Sequence, residues 1–163
     1  MKNAVFTFPV PANEPVKSYL KGSPERVALE AELKRQSSIE LDIPLIIGGK
    51  EVRTGNTGKV VMPHDHAHVL ATYHKAGPEE VRMAIKAALD AHEEWAELDW
   101  TVRASIMLKI ADLLAGKYRA VINAACMLGQ SKNFYQAEID SACETIDFLR
   151  YNAAFASKIY GIQ

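Results

Sequence analysis

The strongest constraint on this chain is a stripe of apolar residues near its C-terminal end: Tyr135, Ile139, Ala142, Ile146, Leu149, Ala153, Ala156 and Tyr160, spaced alternately by four and three. An α-helix gathers residues at that spacing on one side, so the pattern predicts a helix over about 133–158. At 1.5 Å per residue it would run about 37 Å. That is long for a chain of 163 residues and implies a larger body for it to lie against.

Helical signals also dominate the rest of the second half. Gly77-Pro78-Glu79-Glu80 opens a helix whose apolar stripe is Val81, Ile85, Ala88, His92 and Trp95 and whose opposite face, Glu79, Arg82, Lys86, Asp90, Glu93 and Glu97, is charged. A third helix is expected from about 101, with Val102, Ile106, Ile110, Leu113 and Leu114 inward, stopping near Gly116. A fourth runs over about 118–128 and closes at Gly129. Earlier in the chain, Ser23-Pro24-Glu25-Arg26 supplies an N-cap, a proline at the first helical position and an acidic first turn, and Val27, Ala28 and Ala31 continue a helical spacing to about Ser37.

Strand signals are confined to short β-branched runs at 43–47, 50–54, 59–62 and 69–73, separated by Gly48-Gly49 and by the turn from Gly55 to Gly58. These runs predict hairpins. Phe8-Pro9-Val10-Pro11 excludes helix near the start, so residues 1–22 read as an extended arm over a surface. The expected chain is therefore mostly α-helical with a small antiparallel β-hairpin layer.

Composition narrows the function classes. With 48% apolar and 24% charged residues the chain can bury a core, and 19 Lys plus Arg against 20 Asp plus Glu gives a net charge of −1. Such a balance provides no field to recruit nucleic acid or an anionic membrane. No run approaches 18 apolar residues, and the N-terminal segment lacks both a secretory h-region and an Arg-rich transit pattern. The expectation is a cytoplasmic protein with no nucleic-acid or membrane partner. Cys126 and Cys143 form no disulfide framework and are expected to be reduced.

Candidate chemistry is sparse. His64, His66 and His68 alternate in a way that would place three imidazoles on one side of an extended chain. Pro63 favours a solvated turn over a metal site. His92 reads as a packed histidine within its stripe, and the glycines as turns, because neither a dinucleotide nor a phosphate-loop pattern is present. Cys126, in an apolar helix, reads as a buried and inert thiol, and Cys143 as filler. On the long helix, Asp140, Glu144 and Asp147 share the expected wet face. Glu138 falls on a mixed strip with Ser141, Thr145, Phe148 and Asn152, which is either solvent-exposed or lines a cleft or domain boundary. No nucleophile, base, metal site or nucleotide loop is assembled by these residues.

Several segments resemble one family: Asn13-Glu14-Pro15-Val16, Gly22-Ser23-Pro24-Glu25-Arg26, residues 81–95, Met127-Leu128-Gly129-Gln130-Ser131-Lys132, Gln136-Ala137-Glu138-Ile139-Asp140 and Ile146-Asp147-Phe148. They are similar to the 1-pyrroline-5-carboxylate dehydrogenases, a branch of the aldehyde dehydrogenase superfamily. The resemblance covers essentially the whole chain but only about the first third of that family's length. It implies an α/β parent fold in which residues 23–163 form the N-terminal helical and hairpin part of the cofactor-binding domain, with the catalytic domain absent. It also implies NAD-dependent oxidation of L-glutamate γ-semialdehyde to L-glutamate in proline breakdown, through a cysteine thiohemiacetal and thioester. The nucleophilic cysteine, the water-activating glutamate and the cofactor glycines would lie beyond this chain, so no catalytic, cofactor-binding or metal residue is expected in it. NAD would be bound by the complete enzyme and not by this chain, and the expected partners are the remaining domains and further copies in a homo-oligomer. Glu138 alone carries over as a substrate-binding residue, a negative charge at the aldehyde tunnel facing either the substrate ammonium or a lysine from outside the chain. The alternative is a stand-alone helical interaction module that docks on a full-length dehydrogenase or another partner. The apolar stripe running up to Gly161-Ile162-Gln163 favours the enzyme portion.

Overall fold

A computed structural model describes residue 8 and residues 10–162; the expected arm at 1–7 and 9 and the chain end at 163 lie outside the described residues. The elements in order are α1 (Pro24–Ser37), β1 (Leu41–Ile43), β2 (Leu45–Ile47), β3 (Lys50–Val52), β4 (Thr57–Met62), β5 (Asp65–His74), α2 (Pro78–Glu97), α3 (Trp100–Ala115), α4 (Arg119–Gln130), α5 (Phe134–Ala137), a π-turn (Glu138–Cys143) and α6 (Glu144–Ile162). Helix dominates, as the periodicities predict. The chain divides into two compact units, one of Met1–Glu32, Asp99–Met127 and Lys132–Gln163, the other of Leu33–Leu98 and Leu128–Ser131.

The second unit carries the β layer and α2. β2 and β3 form a two-stranded hairpin with Ile47 opposite Lys50, turned through Gly48 and Gly49 at positive φ. β4 and β5 pair antiparallel, but β1 joins the other edge of β5 in parallel, with Leu41 opposite Ala71. This parallel pair departs from the expected hairpins. The 21 residues between β1 and β5, with β2, β3 and β4 among them, provide the crossover that a parallel pair requires. The histidine run is also strand and not turn from Asp65 onward, and only Pro63 and His64 make the reversal, with His64 Nδ1 2.7 Å from Ser131 Oγ. Gly58 sits opposite Tyr73, and a Cβ at Gly58 would lie 2.6 Å from the Tyr73 ring. Gly58→Ala is therefore expected to cost about 1–3 kcal/mol. Urea unfolding of Gly58→Ala in the wild-type and Tyr73→Ala backgrounds checks this, since removing the ring must abolish the penalty.

Helix α2 starts where Gly77-Pro78 predicts, with the Gly77 N–H donating to Glu80 Oε2 at 2.7 Å. Its apolar stripe is not packed. Val81, Ile85 and Trp95 are 49%, 55% and 42% exposed, and His92, expected to be packed, is exposed as well. Within this unit α2 touches β2 through Ala87 beside Gly48, and no residue of the helix is buried.

The first unit holds a helical core in which α3 packs along the π-turn and α6. Its fully buried centre is Ala111, Ala142 and Ile146, surrounded by Leu114, Ala115, Ile122 and Leu149. Along the π-turn and α6 the predicted stripe holds at Ala142, Ile146, Leu149 and Ala153, whereas Tyr135 on α5 and Tyr160 on α6 are exposed. On α3 the buried face is Ala104 and Ala111, rotated away from the expected Val102, Ile106 and Ile110, which are exposed. Both faces of α3 are apolar, and α6 takes the one whose small side chains permit close approach. α4 runs through Gly129 to Gln130, and the left-handed residue that ends it is Ser131 (φ 55°), not the glycine. On α1, Leu29 is buried and Val27 exposed, and the Arg26 N–H donates to Ser23 Oγ at the expected N-cap.

Candidate functional site

The described residues contain one densely bonded cluster of buried charge, and it lies within the first unit. Its centre is Glu138, the first residue of the π-turn, with none of its surface exposed. The reading of this residue as solvent-exposed is overturned: its carboxylate accepts five hydrogen bonds from nitrogen and oxygen donors, and the Cys143 thiol lies 3.9 Å from Oε1 as a weaker sixth donor. Oε1 accepts from the Lys17 N–H at 2.8 Å and from Arg119 Nη2, and Oε2 accepts from the Tyr19 hydroxyl at 2.7 Å, Asn123 Nδ2 at 2.9 Å and Arg119 Nε at 3.2 Å. Arg119, the first residue of α4, is itself buried and donates onward to Glu14 and to the Pro15 carbonyl at 2.9 Å. Arg150 of α6 donates to the other oxygen of Glu14.

Asp147, expected on the wet face, instead accepts from Asn13 Nδ2 and from the Glu14 N–H, each at 2.7 Å. The arm is thus no loose surface strand. Asn13, Glu14, Lys17 and the buried Tyr19 tie it to three helical elements through carboxylates and a guanidinium.

A charge pair without water is stable only when every lone pair and proton finds a partner, and the cluster nearly meets that condition. Asn123 Oδ1 is its one buried acceptor left without a hydrogen bond among the described residues. Burial by itself pushes the Glu138 carboxyl up. The bonds from Arg119, the Lys17 N–H and Tyr19 outweigh burial and hold it below the usual carboxylate range. Burial and the neighbouring carboxylate push the Tyr19 hydroxyl well up. Burial also lifts the Cys143 thiol to about 11, with the negative charge of Glu138 adding to the effect. A thiol so raised is a poor nucleophile near neutral pH. Cys126, expected to be buried, is half-exposed, and no disulfide joins the two.

A carboxyl whose folded pKa is depressed stabilises the folded state above the usual carboxylate range, and that stabilisation is lost as pH falls through and below it. Urea midpoints are therefore expected to drop steeply between pH 5 and 3, and Glu138→Gln to flatten the drop. An equally steep profile for the variant would place the titrating group elsewhere.

Of the other predicted strip residues, Phe148 and Asn152 do line an open groove of about 410 Å³ with Asn13, Asp147, Tyr151 and Phe155. Sequence reasoning proposed no site role for Arg119, Tyr19, Asn123, Glu14 or Arg150. One signal was available, a lone arginine opening a short apolar helix, but its partners lie 105 and 19 residues away.

The strand-to-helix junction from β5 to α2 places Glu79 and Glu80 in the first turn and proline at the first position, so this helix start presents carboxylates and not an anion site.

Comparison with known proteins gives a consistent result. The aldehyde dehydrogenase family pattern matches residues 51–163. A delta-1-pyrroline-5-carboxylate dehydrogenase of Agaricus bisporus is 48% identical over 161 residues, 98% of this chain and 30% of that relative. The mitochondrial enzyme of that name from Homo sapiens is 44% identical over 93% of this chain and 27% of its own length. The crystal structure of the Mycobacterium tuberculosis delta-pyrroline-5-carboxylate dehydrogenase bound with NAD superposes with a TM-score of 0.93 at 47% identity, over 96% of this chain and 30% of that one. The chain thus spans about 30% of the length of these relatives, and it belongs to the aldehyde dehydrogenase family.

Proposed function

We propose that this chain is the N-terminal portion of an NAD-dependent dehydrogenase that oxidises L-glutamate γ-semialdehyde to L-glutamate, and that it is inactive alone. The supporting observation is its 48% identity, across 98% of its residues, to a delta-1-pyrroline-5-carboxylate dehydrogenase. In this reading NAD and the reacting groups belong to parts of the enzyme outside these residues, as the family resemblance implies. What this chain contributes is framework: a helical wall fixed by Glu138 and Arg119, and the unpartnered stripe of α2 for the remaining domains to cover.

The substrate-binding role carried over to Glu138 is part of the same proposal, in altered form. The cation that faces it is Arg119 of this chain, so neither a substrate ammonium nor an external lysine is needed to balance its charge. Glu138 shapes the wall by positioning its neighbours. Glu138→Ala in the complete enzyme is expected to lower kcat/KM for the semialdehyde, and an unchanged value removes the role. A homo-oligomeric, cytoplasmic enzyme completes the proposal; some relatives are named as mitochondrial, so fractionation of tagged protein decides the compartment. Among the described residues no helix is long and apolar enough to cross a membrane.

The direct test is calorimetry with NAD, beside an assay of semialdehyde-dependent NADH formation, on the 163-residue chain and on the full-length enzyme. Binding and turnover are expected from the latter alone. Either activity in the short chain overturns the proposal.

A further inference from the structure

The π-turn is where the regular stepping of the long helix fails, and its two ends meet the same guanidinium. In an α-helix, residues five apart sit about 140° from one another around the axis, so Glu138 and Cys143 could not both face α4. The wider turn closes with the Glu144 N–H on the Ile139 carbonyl, an i→i+5 bond, and brings both ends round to Arg119. Arg119 Nη2 donates to Glu138 Oε1 and lies 3.5 Å from Cys143 Sγ. Ala142 and Ile146 meanwhile keep their place against α3. A π-turn is less favourable than the α-helix it interrupts, so these contacts are what hold it.

Two of the carboxylate's partners come from the arm. The Lys17 N–H and the Tyr19 hydroxyl close over Glu138, and Tyr19 adopts a left-handed φ of 51° in doing so, a conformation that non-glycine residues take at a cost. Residues 10–22 of the arm have no strand or helix of their own. Upstream of the π-turn stand only the four residues of α5, capped by Asn133, so a register slip has little structure to displace.

We propose that docking of residues 13–19 and the π-register at Glu138–Cys143 are one two-state switch. With the arm seated the helix carries its extra residue. With the arm released, Glu138 loses two donors and the segment relaxes to an uninterrupted α-helix, turning α5 about the axis and drawing Cys143 away from Arg119. The charged and titratable groups that face the switch are Arg119 and Cys143 at Glu138, Arg119 and Arg150 at Glu14, Asp147 at Asn13 and the Glu14 N–H, and Tyr19 from the arm itself. The inference does not depend on the enzymatic reading above.

Through-hydrogen-bond NMR couplings on the full chain read the register directly. In the wild type, the Glu144 amide is expected to couple to the Ile139 carbonyl. In Tyr19→Phe, which removes one donor and leaves the ring, and in Glu138→Gln, which turns a donor toward Tyr19 and Asn123, two changes are expected together. The Lys17 amide exchanges at least about tenfold faster, and the coupling moves to the Asp140 carbonyl. Loss of Lys17 protection with the Ile139 coupling intact would show that arm and turn are independent and overturn the proposal. So would unchanged behaviour of Tyr19→Phe, the milder variant that keeps the test decisive should Glu138→Gln fail to fold.

Discussion

Arg119→Met is expected to destabilise the chain by about 3–5 kcal/mol, because it leaves Glu138 as an uncompensated charge in the interior. That is a large share of the 5–15 kcal/mol typical of a domain, and it lowers the folded-to-unfolded ratio by more than about a hundredfold. The Arg119 side chain is 4% exposed and the Glu138 side chain 0%, leaving no room for water to replace the lost donors. Arg150→Met is a fitting contrast. Arg150 is a quarter exposed, and its partner Glu14 would retain Arg119, so a loss near or below about 1 kcal/mol is expected. Urea titrations of both variants check the ranking. Adding Glu138→Leu to Arg119→Met should return part of the loss, since a neutral pair of similar volume removes the stranded charge. Equal effects from Arg119 and Arg150 would mean that the cluster is solvated in solution.

The second large effect is expected at Ile146, which is fully buried between Ala111 and Ala142. Ile146→Ala should cost about 2–5 kcal/mol, the cavity contributing alongside the lost transfer energy. Small neighbours cannot collapse far into the space, which argues for the upper half of that range. Val81→Ala on α2 should change stability by less than about 0.5 kcal/mol, because that side chain is half-exposed already. Thermal or urea unfolding separates the two without ambiguity.

These contrasts show what the sequence could and could not disclose. The starts of α1 and α2 were legible because proline and the capping residues act locally, within a turn of the chain. The α6 stripe was legible at Ile146 and Ala153 for the same reason, 3.6-residue geometry being indifferent to what lies opposite. Which stripe is buried is another matter. Val81, Ile85 and Trp95 carry as regular a pattern as α6 and remain exposed, because periodicity states that a face wants cover and not that the same chain supplies it. On α3 the sequence offered two apolar faces and the larger side chains won the prediction, whereas the helix uses Ala104 and Ala111.

The cluster at Glu138 was invisible for a different reason. Its members come from the arm, α4, the π-turn and α6 and are up to 136 residues apart, and nothing local in Asn13-Glu14-Pro15 announces that a carboxylate there will meet two arginines. The π-turn compounds the difficulty, since a single inserted residue changes which side chains share a face. Family resemblance did single out Glu138, though for contact with substrate, where the structure gives it contact with Arg119.

The alanines of the helical core have a consequence for how this chain can vary. Ala111, Ala124, Ala137 and Ala142 are each 0% exposed, so each methyl group is enclosed on every side by a close-packed interior. Every single-base change to an alanine codon that alters the residue enlarges it, except the change to glycine, which loosens the helix instead. At these positions random mutation has almost no harmless step available. The part of the molecule with the least side-chain mass is therefore where a gene under drift should be held most firmly still.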